Sequence, residues 1–320
     1  MNTPTKLGAY ALGLVAVFGA AAGLGSVIGP VDAAADDAPA HDGAHASPMG
    51  TGVQQQSGSG FHVPAGLQVS QNGYTLDVAD SLPAGAATPV VFRITGAEGR
   101  PVTAYDTAHA EDLHLIAVRR DLTGYQHVHP TLAADGSWSV PLDLTAGDWR
   151  LFADFDPAGD DAGLVLGTDV AVAGDFVPQS LPEPATTVEV DGYTVALDGE
   201  LVPGQDSKLT LSVSRDGQPV TDLQPYLAAY GHLVALRDGD LAYLHVHPAG
   251  APGDGATKPG PDIAFYATAP SVGEYRLFLD FQHGDLVHTA EFTVHAGDRP
   301  TASTPSSPAG VHGDDGHAHN

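Results

Sequence analysis

The chain repeats itself, and a duplicated domain narrows its possible folds more than any other feature. The stretch NGYTLDV at residues 72–78 returns as DGYTVAL at 191–197. GRPVT at 99–103 returns as GQPVT at 217–221, and WRLFADF at 149–155 as YRLFLDF at 275–281. These phrases keep one order and nearly one spacing, which marks two copies of one unit. Each copy reads as strands. TPVVFRIT (88–95), LHLIAVR (113–119) and WRLFADF, then SKLTLSVS (207–214), GHLVALR (231–237) and EYRLFLDF (274–281), alternate or run apolar between Gly, Pro and Asp clusters. No stretch of helix length carries caps and a helical period. About seven short strands per hundred residues predict an all-β protein of two tandem immunoglobulin-like antiparallel β-sandwich domains. We expect them at 66–175 and 188–297, joined by a stiff Pro-rich linker at 176–187.

Outside the copies, residues 7–31 are apolar and uncharged, follow Lys6, and precede an Ala-x-Ala cleavage pattern at 33–35. The run is longer than a usual signal-peptide core and approaches the length that spans a bilayer. Residues 1–35 are therefore expected to be a signal peptide or an N-terminal membrane anchor. Either places the rest outside the cytoplasm, secreted or membrane-anchored. No later segment is apolar enough to span. Residues 36–65, with His41, His45 and His62, lack periodicity and read as a disordered tether. The tail 298–320, with His312, His317 and His319, reads the same way.

The second copy contains GHLVALRDGDLAYLHVHP, in which Asp238-Gly239 between apolar runs signals a two-residue hairpin turn. That register sets His232 opposite His245, with Cβ atoms roughly 4.5–5.5 Å apart. His247, two residues on, shares their face. In the first copy His114, His127 and His129 keep the same spacing. Its turn, RRDLTGY, lacks Asp-Gly. A loop of two or four residues keeps its three histidines on one face, and a loop of three splits them. Three imidazoles beside Ile116 and Val118, or Val234 and Leu236, need partners for every nitrogen, and a metal ion satisfies three acceptors at once.

The choice of metal follows from what the composition lacks. With no cysteine and only Met1 and Met49, thiolate, blue-copper and thioether sites are excluded. Imidazole ligands suit Cu(II), Zn(II) or Ni(II), and Cu(II) or Zn(II) is the expected ion. A fourth position remains open to another ligand. Candidates are His109 or Asp154 in the first copy and His283 or Asp280 in the second. Asp154 and Asp280 share a strand face with Arg150 and Arg276, which reads better as a solvated polar face. Tyr125 and Tyr243 fall on the histidine face and read as packing residues. His288 and His295 read as structural. The formal charge of −27 suits cations and excludes nucleic acid and anionic lipid as partners.

The stretches EDLHLIAVRRDLTGYQHVHP (111–130) and LQPYLAAYGHLVALRDGDLAYLHVHP (223–248) resemble exported heavy-metal-binding-domain proteins of high-GC Gram-positive bacteria. Those are akin to the YtkA-like and FixH-like β-sandwich modules. The resemblance covers roughly residues 73–294. It implies an extracytoplasmic metal-handling β-sandwich whose HLHLI…HVHP-type histidines are ligands: His114, His127 and His129, and by analogy His232, His245 and His247. Relatives commonly carry HEK before the same strand; here His109 matches and the residues after it differ.

Three classes of function compete. The favoured one is a binder that sequesters, buffers or delivers Cu(II) or Zn(II) through a three-histidine site in each repeat. A membrane or another extracytoplasmic metal-handling protein is the candidate recipient. The second is a tandem β-sandwich structural or interaction module of the cell surface. The third is a cupin-like metalloenzyme, for which the glutamate expected after His-x-His is missing in both HVHPTLAADG and HVHPAGAPGDG. No Gly-x-Ser-x-Gly pattern supports a hydrolytic triad.

Overall fold

Strands form all the regular structure of the described residues, which are 63–160, 163–244 and 246–297 of a computed structural model. The first repeat contains β1 (Ser70–Gln71), β2 (Tyr74–Val78), β3 (Ser81–Leu82), β4 (Gly85–Thr95), β5 (Tyr105–Asp106), β6 (Leu113–Arg119), β7 (Gln126–Val128), β8 (Thr131–Leu132), β9 (Ser137–Leu144), β10 (Gly147–Pro157) and β11 (Leu164–Val172). The second contains β12 (Thr187–Val190), β13 (Tyr193–Asp198), β14 (Asp206–Arg215), β15 (Gln218–Pro219), β16 (His232–Arg237), β17 (Val246–Pro248), β18 (Asp262–Thr268), β19 (Gly273–His283) and β20 (Leu286–Ala296). Each repeat is a sandwich of two sheets. Their orders are β1-β2-β4-β9-β8 over β3-β11-β10-β6-β7, and β12-β13-β14-β18-β17 over β16-β19-β20. The expected all-β tandem sandwich is the fold.

Strand patterning shows which faces are covered. SWSVPLDL of β9 alternates between buried and accessible positions, as a sheet with one face on a core does. LHLIAVR of β6 is buried at every position but the last. Its odd-numbered residues Leu113, Leu115 and Ala117 join Phe92, Trp138 and Phe155 in the first core. Its even-numbered ones, Ile116 and Val118, join a different cluster with Phe152, Val234, Leu236, Leu241 and Phe278. In β16, Leu233 and Ala235 likewise enter the second core with Leu211, Phe265 and Phe281, while Val234 and Leu236 face the first repeat. The repeats thus pack sheet against sheet through an apolar seam. Tyr125 stacks on Phe278 there, ring centroids 4.0 Å apart and 4° from parallel.

This seam overturns one expectation. The face carrying Arg150, Asp154, Arg276 and Asp280 is not solvated, because the other repeat covers it. Arg150, Arg276 and Asp280 are only 6%, 8% and 3% exposed, and Asp154 is half-buried. Arg150 donates to the Gly66 carbonyl at 2.6 Å and to Asp169 at 2.9 Å; Arg276 donates to Thr293 and Glu291. The chain before β1 is also fixed at the seam. Tyr243 N donates to Ala65 O at 3.0 Å, so the last residue of the expected tether is an ordered bridge. The rest of that tether up to residue 62, the apolar run 7–31 and the tail 298–320 lie outside the described residues. Among the described residues no helix is long and apolar enough to cross a membrane.

The hairpin is a second correction. Leu236 bridges Tyr243, and Arg237 N donates to Ala242 O, so the loop is the four residues 238–241 rather than Asp238-Gly239 alone. The pairing moves by two, which preserves the face; beyond the hairpin the chain changes sheets, and His247 pairs with Tyr266 of β18. In the first repeat Ile116 pairs His127 and Ala117 pairs Gln126. That register gives the loop 120–123 and sets His114 opposite position 129. Both loops are closed by an aspartate after an arginine. Asp121 binds Arg119 and the Thr123 hydroxyl, and Asp240 binds Arg237 and accepts from Ala242 N. The following leucine is left-handed in each, with φ of 60° at both Leu122 and Leu241.

Candidate metal centre

Three of the expected ligands meet. One side-chain nitrogen from each of His114, His127 and His129 can be chosen so that all lie within 4.8 Å of one another. β6 supplies His114, and the returning segment supplies His127 and His129, two residues apart and therefore on one face. Ring centroids are 5.3 Å (His114–His127), 5.0 Å (His114–His129) and 5.1 Å (His127–His129) apart.

Hydrogen bonds fix the tautomers. His114 Nε2 lies 3.1 Å from the Ala108 carbonyl, which can only accept, so Nε2 carries the proton and Nδ1 a lone pair. His127 Nδ1 lies 2.9 Å from Asp280 Oδ2. Tyr125 donates to that same oxygen at 3.3 Å, and Thr289 donates to Oδ1 at 2.6 Å. A carboxylate that collects donors makes His127 Nδ1 a donor too, leaving the lone pair on Nε2. Yet His114 Nδ1 and His127 Nε2 are 3.0 Å apart. With these tautomers two lone pairs point at each other, an arrangement that a cation or a shared proton between them relieves. His129 Nε2 adds a third buried nitrogen, one with no hydrogen-bond partner among the described residues.

Burial keeps the His114, His129 and His232 rings neutral. The His114 pKa is lowered to about 3, by burial first and then by His127; that of His129 is lowered to about 4 by the same two causes. His232 falls to about 4, again mainly by burial. Neutral imidazole is the form that coordinates metal. Without metal, these shifts also set an acid sensitivity. Unfolded histidines take up protons below pH 6.5 while the folded ones do not, so stability falls as pH drops from 6.5 towards 4. Asp154 works the other way. Burial raises its pKa from 3.8 to about 6, so over that interval it stabilises the folded state at the lower pH. Three histidines outweigh one carboxyl. The urea midpoint of the metal-free protein should be lower at pH 5 than at pH 7, and an equal or higher midpoint would contradict these burial assignments.

The second repeat's histidines sit beside the triad rather than forming a separate copy of it among the described residues. His232 stacks near His114, centroids 6.0 Å apart, and its Nε2 lies 2.9 Å from the Leu227 carbonyl. His247 lines a cavity of about 350 Å³ with His109, His114, His127, His232, Asp154 and Asp156. His245 lies outside the described residues. His109 is in a turn, as expected, with its ring 5.1 Å from His232 and 6.2 Å from His114. It faces the cavity and stands outside the three-nitrogen group. His283 stands outside the three-nitrogen group: it ends β19 three residues beyond Asp280, and Tyr193 OH at 2.7 Å and Asp222 at 3.2 Å lie against its two nitrogens. His288 and His295 pair with Asp191 and Glu274, as structural histidines do.

Tyr125 and Tyr243 pack in the seam, and their hydroxyls do more than fill it. Each donates to the aspartate of the opposite repeat, Tyr125 to Asp280 at 3.3 Å and Tyr243 to Asp154 at 3.4 Å. The carbonyls that anchor the His114 and His232 rings come from turns with two successive left-handed non-glycine residues. These are His109-Ala110 (φ 50° and 69°) and Leu227-Ala228 (φ 52° and 61°). Such residues cost roughly 1–2 kcal/mol each. Both repeats keep this turn.

Fold and site together define a tandem β-sandwich protein with a three-histidine cluster against the seam between its repeats. Residues 68–170 and 187–298 both match the domain of unknown function DUF8832, and the chain belongs to that family. No curated protein matches it. Among solved structures, the Yersinia pseudotuberculosis adhesin InvE is 15% identical at a TM-score of 0.21, covering 72% of this chain and 60% of that one. Salmonella alpha-2-macroglobulin reacted with methylamine is 15% identical at 0.24, over 73% of this chain and 15% of that one. Domains 4 and 5 of the S-layer protein SbsC are 9% identical at 0.20, over 72% and 98%. This chain thus spans about three fifths of the InvE chain. None of these likenesses bears on the site.

Proposed function

We propose that the protein binds a divalent transition-metal ion, Cu(II) or Zn(II), outside the cytoplasm and sequesters, buffers or delivers it. The ligands are His114, His127 and His129, with the fourth position left to water or to a group from the adjoining cavity. The observation that carries this reading is the 3.0 Å separation of two lone-pair nitrogens, His114 Nδ1 and His127 Nε2. Two imidazoles on one ion, each about 2.0–2.1 Å from it, stand at about that separation. The His129 nitrogen, unpartnered among the described residues, and the absence of cysteine support an all-nitrogen site. The apolar run at residues 7–31 supports export, and the resemblance to exported heavy-metal-binding domains points the same way.

The test is a zinc titration of the chelator-stripped full chain, monitored by competition with a chromophoric chelator. One tight equivalent is expected, above any weak uptake by the histidines outside the described residues. Absence of a tight equivalent would remove the proposal.

A second reading, a surface interaction module in which the histidines only join the repeats, is favoured by the apolar seam. Ile116, Phe152, Leu236, Leu241 and Phe278 are at most 0% exposed there and hold the repeats together without any ion. In that case a shared proton sits between His114 and His127, and the stripped protein takes up no metal.

A further inference from the structure

The ligand cluster belongs to the first repeat, but the group that orients its central histidine belongs to the second. Asp280 lies on β19, paired with His232 of its own repeat, and reaches across the seam to His127. Both side chains are 4% exposed. Its carboxylate is aimed from three sides. Thr289 on the neighbouring strand β20 holds Oδ1, while Tyr125 and His127 of the other repeat hold Oδ2. The mirror position in the first repeat, Asp154, receives Tyr243 from the second. The exchange of tyrosines is therefore reciprocal, whereas the described histidine–aspartate bond exists on one side only.

We propose that Asp280 is a positioning residue for metal binding. By holding the proton on His127 Nδ1 it directs the Nε2 lone pair into the cluster, so the site is complete only when the second repeat is docked on the first. Carboxylates behind metal-bound histidines act in this way, fixing the ring and raising its basicity. This proposal rests on the metal-binding reading and adds to it a requirement for both repeats. Ion binding and seam closure are then one equilibrium. An ion that binds only the docked state stabilises that state by mass action.

The experiment compares the full-length protein with Asp280→Asn, Asp154→Asn and Thr289→Val, each stripped and then titrated with zinc under chelator competition. Copper-loaded samples are examined by electron paramagnetic resonance. Asp280→Asn should weaken binding about 10- to 100-fold and alter the nitrogen hyperfine pattern. Thr289→Val only frees the carboxylate to swing and leaves the fold intact. It should weaken binding about 2- to 10-fold, the loss of one hydrogen bond. Asp154→Asn, which removes a cavity-lining carboxylate but leaves the support behind His127 intact, should lose less affinity than Asp280→Asn. Asp280→Asn and Thr289→Val with parental affinity and spectrum would overturn the proposal. So would an Asp154→Asn loss as large as that of Asp280→Asn, which would mean that the seam alone is being read. A parent protein that binds no zinc fails the metal-binding reading itself, so the two failures are distinct.

Discussion

His129→Leu is expected to strengthen the metal-free fold while weakening metal binding, a pair of effects that a structural histidine does not give. His129 Nε2 is buried with no hydrogen-bond partner among the described residues. An unpaired buried polar atom costs about 1–3 kcal/mol, and an apolar side chain of similar size removes that penalty. The metal-free variant should therefore unfold at a higher urea concentration, by roughly 1 kcal/mol of stability. The same change deletes one of three protein ligands. Structural zinc sites in small domains bind with about 10–16 kcal/mol shared among four ligands, so losing one lowers affinity about 10²- to 10³-fold. Chelator competition reads the affinity and urea denaturation the stability. If stability drops while zinc affinity stays at the parental value, His129 is a packing residue and the ligand assignment fails.

The other large effect is expected at the seam. Phe278 is fully buried, stacks on Tyr125 and shares a cluster with Ile116, Val118, Val234 and Leu236. Phe278→Ala removes an aromatic ring from between two sheets that cannot collapse onto the void without shifting one repeat against the other. Substitutions of this kind cost about 3–5 kcal/mol. Because Asp280 follows Phe278 by two residues on β19, that shift also draws the carboxylate away from His127. The variant should lose stability by about that amount and bind zinc more weakly, with the defect partly corrected at saturating zinc. Hydrogen exchange at β6 and β16 would report the opening. A stable, tight-binding Phe278→Ala protein would show that the repeats act independently.

Much of this arrangement is legible in the sequence. The repeated phrases identify the two domains, alternation and short apolar runs mark the strands, and His-x-His after a hairpin places His114, His127 and His129 on one face. The Asp-Gly signal misleads because it is only the first half of a longer loop. The feature shared by both loops is Asp-Leu, at Asp121-Leu122 and Asp240-Leu241. In each the aspartate caps the turn and the leucine takes the left-handed conformation. Docking of the repeats is harder to read, because it depends on outer sheet faces that a single domain would leave to solvent. Its trace is the lack of alternation in LHLIAVR and HLVALR, which are buried on both sides. Aspartates inside such runs, Asp154 and Asp280, are therefore better read as buried partners than as solvated charges. His283 ends its strand beside Tyr193 and Asp222, contacts between distant segments that spacing alone does not reveal.

The measurement that bears most directly on the metal site is diffraction from zinc-loaded crystals of the full chain at the zinc absorption edge. An anomalous peak is expected about 2.0–2.1 Å from the nitrogens of His114, His127 and His129, with Asp280 still bonded to the far side of His127. A zinc-saturated crystal whose anomalous peaks all lie elsewhere, with His114 and His127 still in direct contact, would contradict it.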